Sequence, residues 1–188
     1  MDWRELDEPA EQVAPRLLGC TLERDLDGQL LRARIVETEA YMQTDAASHS
    51  YRGRTPRTEV MFGPSGFSYV YFTYGMHYCM NVVCGPAGMG AAVLIRAVEP
   101  LAGQDVMQER RGGRSGPELT NGPAKLCQAL GVTRDLSGHD LRTGELRLRL
   151  EPPLAAAAVV QTTRIGISRA KDVPWRFYIR DSPYVSKL

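Results

Sequence analysis

The alternation of apolar and polar positions divides the chain into a short helix, a series of strands and two later helices. Pro9 to Leu18 carries helix formers and stops at Gly19, which predicts a helix near the N-terminus. A strand from Cys20, a turn over Asp25 to Gly28 and a longer strand from Gln29 to Tyr41 read as a hairpin. Within that longer strand, period-two alternation places Leu31, Ala33, Ile35, Glu37, Glu39 and Tyr41 on one face. An apolar face that ends in two carboxylates and an aromatic ring breaks its own pattern, and such breaks are where functional sites are expected.

Met42 to Ser65 has no sustained period and reads as a surface loop. Tyr69 to Thr73 and His77 to Cys84 alternate as strands about Tyr74 and Gly75, where glycine tolerates the positive φ of a tight turn, so Tyr74 is expected at or beside a hairpin tip. A further strand follows near Ala91 to Ala97. Helices are predicted from Ala102 to Arg111 and from Pro123 to Leu130, the second with Asn121 as cap, Pro123 near its start and Gly131 past its end. The segment RRGGRSGPEL between them is expected to be mobile. Short strands are predicted at Leu146 to Leu150, Arg164 to Ser168 and Phe177 to Ile179, with a proline and alanine connector before the last two. No internal repeat is present.

With 188 residues, 43% hydrophobic and 24% charged, the chain is expected to be one globular domain able to bury its own core. No apolar run reaches the roughly 18 residues of a membrane span, and no secretory signal pattern is seen, so a cytoplasmic location is expected. Cys20, Cys79, Cys84 and Cys127 form no CxxC pair, and His49, His77 and His139 are scattered, which gives a zinc site no spacing support. The formal charge of +1 hides an asymmetry: residues 1 to 50 carry a balance of −6 and residues 51 to 188 a balance of +7. Of the 23 cationic side chains only three are Lys. Arg makes planar, bidentate contacts to phosphate, so a polyanion partner is one reading and genomic composition is the other.

The chemistry concentrates in VETEAYMQTDAASHS and YVYFTYGMHYCMNV. A carboxylate set among aromatic faces can hold a flat, electron-poor ring and direct water at the neighbouring carbon. Glu37 and Glu39, two apart on a strand, would lie roughly 6.6 Å apart along it, near the spacing of the acid and base pair of sugar hydrolases.

The strings RIVETEAY, DAASHS, the TPR of RGRTPR, YVYFTYGMHYCMN, VLIRAVEPL, NGPAKLCQAL, RIGI and RFYIRDSPYVS occur in one order over nearly the whole chain. In this the sequence resembles the alkyladenine type of 3-methyladenine DNA glycosylase. The resemblance implies a mixed α/β (α+β) fold, a single domain with a curved antiparallel sheet, surrounding helices and a protruding β-hairpin. It implies hydrolysis of the N-glycosidic bond of an altered purine in double-stranded DNA. Glu39 matches the catalytic base, Arg96 its partner at the water site, and the backbone carbonyl of Ile165 a contact to that water.

Tyr41, His49 and Tyr71 match residues that surround the extruded base, and Asn81 a residue at the floor of that cage. Tyr74 matches the residue that enters the minor groove, with Met76 supporting the same tip, while Arg52, Arg54, Arg57 and Lys125 are candidates for phosphate contacts. The chain departs from longer relatives in a shorter loop before Thr55 and in Tyr51, which stands where a basic residue is familiar. An N-alkylated purine already carries positive charge and leaves without strong acid help, so Glu37 is expected to be structural, hydrogen-bonding a neighbouring turn. No metal or organic cofactor is expected; lyase chemistry would need an amine nucleophile, for which the sequence offers only Lys125, Lys171, Lys187 and the N-terminal amine, and one bent DNA site is adequately served by a monomer. Two other classes stay open: a catalytically silent nucleic-acid-binding domain on the same scaffold, and a nucleosidase acting on free nucleosides.

Overall fold

The computed structural model describes residues 1–73 and 75–187. Ala10–Arg16 forms helix α1, in which Ala10, Val13, Ala14 and the following Leu17 recur at the three-and-four spacing of one helical face and are fully buried. The chain then turns back through Gly19 into strand β1 (Thr21–Leu26), which pairs antiparallel with β2 (Gln29–Tyr41). Asp27 and Gly28 form their two-residue turn, both at positive φ, the geometry that matches the twist of a tight hairpin. Strands β3 (Ser68–Thr73) and β4 (His77–Val83) form a second hairpin, and β5 (Ala92–Ala102) runs antiparallel to both β4 and β2.

Helices α2 (Gln104–Arg110) and α3 (Pro123–Leu130) follow, then short strands β6 (Leu146–Arg149), β7 (Val159–Thr162) and β8 (Arg176–Ile179). All eight strands join one antiparallel sheet with the path β3-β4-β5-β2-β1-β6. The long β2 has β5 along one edge. Its other edge is shared, β1 lying beside Gln29–Arg34 and β8 beside Glu37–Glu39, with β7 beyond β8.

Two register shifts decide which way the functional side chains point. Along the β2 and β5 pair, Ile35 opposes Val98, Glu37 opposes Ala97 and Thr38 opposes Ile95, so Val36 on one strand and Arg96 on the other are each left without an opposite residue. Extra residues of this kind turn a strand's faces over. Before the shift Leu31, Ala33 and Ile35 lie in the main apolar core, and after it Ala40 does, while the Thr38 hydroxyl donates to the carbonyl of Ala14 in α1 at 2.9 Å. Glu37, Glu39 and Tyr41 therefore face away from α1. The expectation of one continuous face from Leu31 to Tyr41 is wrong for this reason.

The same core takes Val70, Met80, Val82, Val93 and Ile95 from the sheet, and Leu126, Cys127, Ala129 and Leu130 from α3. Tyr69, Tyr71, Cys79, Asn81, Leu94 and Arg96 are thus left for the opposite face.

Other boundaries differ from expectation. Strand β5 continues past Ala97 to Ala102, with Pro100 beside a further register shift, and the helix expected from Ala102 begins only after Gly103. Gly103 has φ +75°, and a Cβ there would sit 2.3 Å from a Leu31 methyl carbon, so only glycine makes this turn. Asn121 does not cap α3: Gly122 precedes the helix, and the Asn121 side chain accepts from Lys125 Nζ at 2.7 Å. Arg164 to Ser168 is loop, and the strand lies earlier, as β7 inside the proline and alanine segment. Among the described residues no helix is long and apolar enough to cross a membrane.

Candidate active site

On the face of the sheet away from α1 lies a cavity of about 620 Å³, which the start of α3 reaches at Pro123. Its floor and walls come from Tyr41 of β2, Tyr69 and Tyr71 of β3, Asn81 of β4, and Leu94 and Arg96 of β5. The loop over residues 46–52 closes one side and residues 165–169 the other. The first loop is held close because Ser50 Oγ donates to the Gly90 carbonyl at 2.7 Å; a Cβ on Gly90 would come within 2.6 Å of that of Ser50. The second is clamped by Arg164, whose guanidinium makes a two-pronged pair with Asp45 and donates to the Ala40 carbonyl at 2.9 Å. Arg164 also lies over the rings of Tyr41 and Trp175, at 4.7 and 5.2 Å from their centroids.

Glu39 is fully buried beneath this cavity. Its Oε1 accepts from the Ile165 backbone N–H at 2.8 Å and lies 3.3 Å from Arg96 Nη1; its Oε2 accepts from the Tyr41 hydroxyl at 2.7 Å. Ile165 thus meets Glu39 through its amide. Burial, reinforced by the neighbouring Glu39 charge, pushes the Tyr41 hydroxyl well above the ordinary tyrosine range, so it stays protonated and donating. Burial works against the Arg96 charge, but Glu39 and Glu37 outweigh it and hold the guanidinium protonated more firmly than usual.

Glu37, also fully buried, receives Arg96 Nε at 3.3 Å and Arg176 Nε at 2.6 Å. From the segment after β8 it takes the Ser186 N–H at 2.7 Å and the Ser186 hydroxyl at 3.0 Å.

The aromatic wall is mutually packed. His49 stands edge-on to Tyr71 with centroids 4.5 Å apart, and its Nδ1 lies 3.1 Å from the Tyr69 hydroxyl. Burial, with the Arg57 charge second, lowers the His49 pKa to about 4, so the ring is neutral at neutral pH. Tyr71 lies above its ordinary range, chiefly from burial. Asn81 is buried and its amide donates to the Tyr69 carbonyl at 3.0 Å, which fixes the side chain at the cavity floor.

The structure therefore brings together Glu39, Arg96, Ile165, Tyr41, His49, Tyr71 and Asn81. Met76 is 69% exposed at the tip of the β3 and β4 hairpin, and Tyr74 lies outside the described residues. Of the basic candidates, Arg52 lines the cavity mouth and Arg57 reaches over the Tyr71 ring at 5.5 Å. Arg54 and Lys125 line no part of it: Arg54 pairs with Glu59 at 3.1 Å, and Lys125 with Glu118 at 3.0 Å.

Sequence reasoning missed Tyr69, the Asp45 and Arg164 clamp, and the Arg176 and Ser186 contacts to Glu37. All of them lie inside strings whose motif value was visible, but nothing in the strings says that Asp45 meets Arg164 across 119 positions.

A buried carboxylate held by three donors, set under an aromatic pocket with arginine at its rim, can hold a flat ring and take a proton from water beside it. The family model described as methylpurine-DNA glycosylase matches residues 4–183. A protein of Carboxydothermus hydrogenoformans is 56% identical over 176 residues, covering 93% of this chain and 92% of its own. One of Methanoculleus marisnigri is 52% identical over 178 residues, again 93% and 92%, and one of Nitrosospira multiformis 51% over 175, with 93% and 88%. Each bears the name "Putative 3-methyladenine DNA glycosylase". The chain belongs to the methylpurine-DNA glycosylase family, and is a hydrolase of N-glycosyl bonds.

Proposed function

We propose that this protein releases alkylated or deaminated purines from duplex DNA, using a water activated by Glu39 and leaving an abasic site. The damaged nucleotide enters the cavity turned out of the helix. The water's oxygen bonds to C1′, its proton passes to Glu39, and the electron pair of the C1′–N bond leaves with the purine. A positioned carboxylate contributes roughly 10² to 10⁴ in rate at such a step.

The observation that carries this reading is the state of Glu39. Two carboxylate oxygens offer about four acceptor sites in all. The Ile165 amide, Arg96 and Tyr41 occupy three of them, which leaves one on Oε2 for water.

Tyr41, His49 and Tyr71 supply the faces and edges that grip the base. Stacking is worth roughly 1–3 kcal/mol per base, and a cationic base adds roughly 0.5–2 kcal/mol of cation–π attraction, which neutral purines lack. The hairpin that ends at Met76 fills the gap left in the duplex, Tyr74 acting as its wedge against the few kcal/mol that extrusion costs. Arg52, which lines the cavity, and Arg57, which reaches over the Tyr71 ring, meet the backbone phosphates. Lys125 is already paired with Glu118 and Asn121, and among the described residues no lysine lines the pocket, so in this reading the enzyme forms no Schiff base and stops at base release. One pocket receives one nucleotide, so a monomer working in the cytoplasm needs no further cofactor.

The test is base release from methylated duplex DNA by the wild-type protein and by Glu39→Gln, with the matching free nucleoside as a second substrate. Release from duplex alone, abolished in the variant, is the expected result. Release by Glu39→Gln at the wild-type rate overturns the reading, and equal release from free nucleoside makes the protein a nucleosidase.

A further inference from the structure

Arg96 meets Glu39 through Nη1, 3.3 Å from Oε1, where a guanidinium beside a carboxylate ordinarily closes on it with two parallel hydrogen bonds. The reason lies on the other side of the guanidinium. Its Nε points at Glu37 Oε1 at 3.3 Å and its Nη2 at the Ser186 hydroxyl oxygen at 3.4 Å, which turns Nη1 toward Glu39 at 3.3 Å. The Ser186 hydroxyl donates its proton to Glu37 at 3.0 Å while accepting from Arg96, so serine and carboxylate act as one acceptor pair for the guanidinium.

Ser186 is itself pinned, by its own N–H on Glu37 at 2.7 Å and by a hydrogen bond from Arg176 Nη2 to the next carbonyl, that of Lys187. Val185 just before it is buried.

We propose that Ser186 and Glu37 are positioning residues for the hydrolytic step: they hold Arg96 to a single contact with Glu39 and so keep one carboxylate lone pair free for water. The proposal rests on the reading of Glu39 as the water's base. With that hold removed, Arg96 swings its second nitrogen onto Glu39 and occupies the acceptor site the water needs. The lesion still enters the pocket, because neither Ser186 nor Glu37 lines it. The control is therefore exerted from a segment 149 positions along the chain from Glu37.

The decisive variants are Ser186→Ala, which removes the hydroxyl and keeps the backbone N–H contact, and Ser186→Thr, which keeps the hydroxyl. Two quantities are measured: the single-turnover rate of base release from a duplex carrying one hypoxanthine, and the dissociation constant for a duplex carrying a tetrahydrofuran abasic analogue. Ser186→Ala is expected to release base about tenfold more slowly, with the dissociation constant within about twofold of wild type. Ser186→Thr is expected to recover most of the lost rate. A contribution to folding alone would lower binding and rate together and would not be rescued by the hydroxyl.

An active wild type with Ser186→Ala at the same rate overturns the positioning role, as does Ser186→Thr performing no better than Ser186→Ala. A wild type that releases no base from any lesion duplex overturns the reading of Glu39 instead, and this proposal with it.

Discussion

Glu39→Gln and Glu37→Gln make the same atomic change two residues apart, and the structure predicts opposite outcomes. At Glu39 the amide can be accommodated. Its oxygen stays where Oε1 meets the Ile165 N–H and Arg96, and its NH₂ takes the place of Oε2. The partner there is the Tyr41 hydroxyl, which rotates to become the acceptor. Folding is then little disturbed, while the group proposed to receive the water's proton is gone. Base release is expected to fall by at least about 10², equivalent to roughly 2.7 kcal/mol of lost transition-state stabilisation.

At Glu37 the amide has no good orientation. Oε1 receives two guanidinium nitrogens and a hydroxyl, and Oε2 receives a backbone N–H that cannot turn round. Whichever way the amide lies, its NH₂ faces a donor, and Arg96 and Arg176 lose a buried countercharge. Breaking a buried pair of this kind costs roughly 3–5 kcal/mol. For a chain of this size that lowers the melting temperature by roughly 6–20 °C. Thermal melts by circular dichroism, run beside single-turnover base release on one hypoxanthine duplex, separate the two effects. A Glu39→Gln protein that turns over normally would remove Glu39 from the chemistry, and a Glu37→Gln protein that melts with the wild type would remove Glu37 from the stabilising network.

Three further expectations test other parts of the site. Asn81→Ser removes the amide tethered to the Tyr69 carbonyl at the cavity floor; if that amide obstructs the 2-amino group of guanine, the ratio of 7-methylguanine to hypoxanthine release should rise by about 5-fold to 150-fold, the equivalent of roughly 1–3 kcal/mol for one unpaired buried donor. An unchanged ratio in a folded protein would show that Asn81 is no gate. Asp45→Ala leaves Arg164 buried without its carboxylate and should cost roughly 3–5 kcal/mol in urea unfolding, with base release falling as the Ile165 loop loosens. His49 titrates near 4 in the fold against 6.5 in the open chain, so the unfolded state binds its proton first. Its share of stability is present above pH 6.5 and is lost as pH falls toward 4. The drop in melting temperature between pH 7 and pH 5 should be smaller in His49→Asn, and equal drops would exclude this assignment.

Much of the molecule is decided by local pattern. The Asp27 and Gly28 turn, the paired strands about Gly75, the buried stripe of α1 and the start of α3 at Pro123 all follow from backbone preferences and from spacing that neighbours in the chain can satisfy among themselves. The strings around Glu39, His49 and Asn81 stood out for the same reason: the residue types that meet at the candidate site stand close together within each string.

What the sequence could not express is where a strand turns its faces over. Strict alternation carries Ile35 and Glu37 to the same side, and only pairing with β5 leaves Val36 and Arg96 unopposed and turns Glu37 and Glu39 away from α1. Nor does any local rule bring Arg164 to Asp45, or Ser186 to Glu37, because those contacts form between segments more than a hundred residues apart. Burying a charge is tolerable only when its partners arrive with it, and it is the closed tertiary structure that delivers the donors which make Glu37 and Glu39 tenable in the interior.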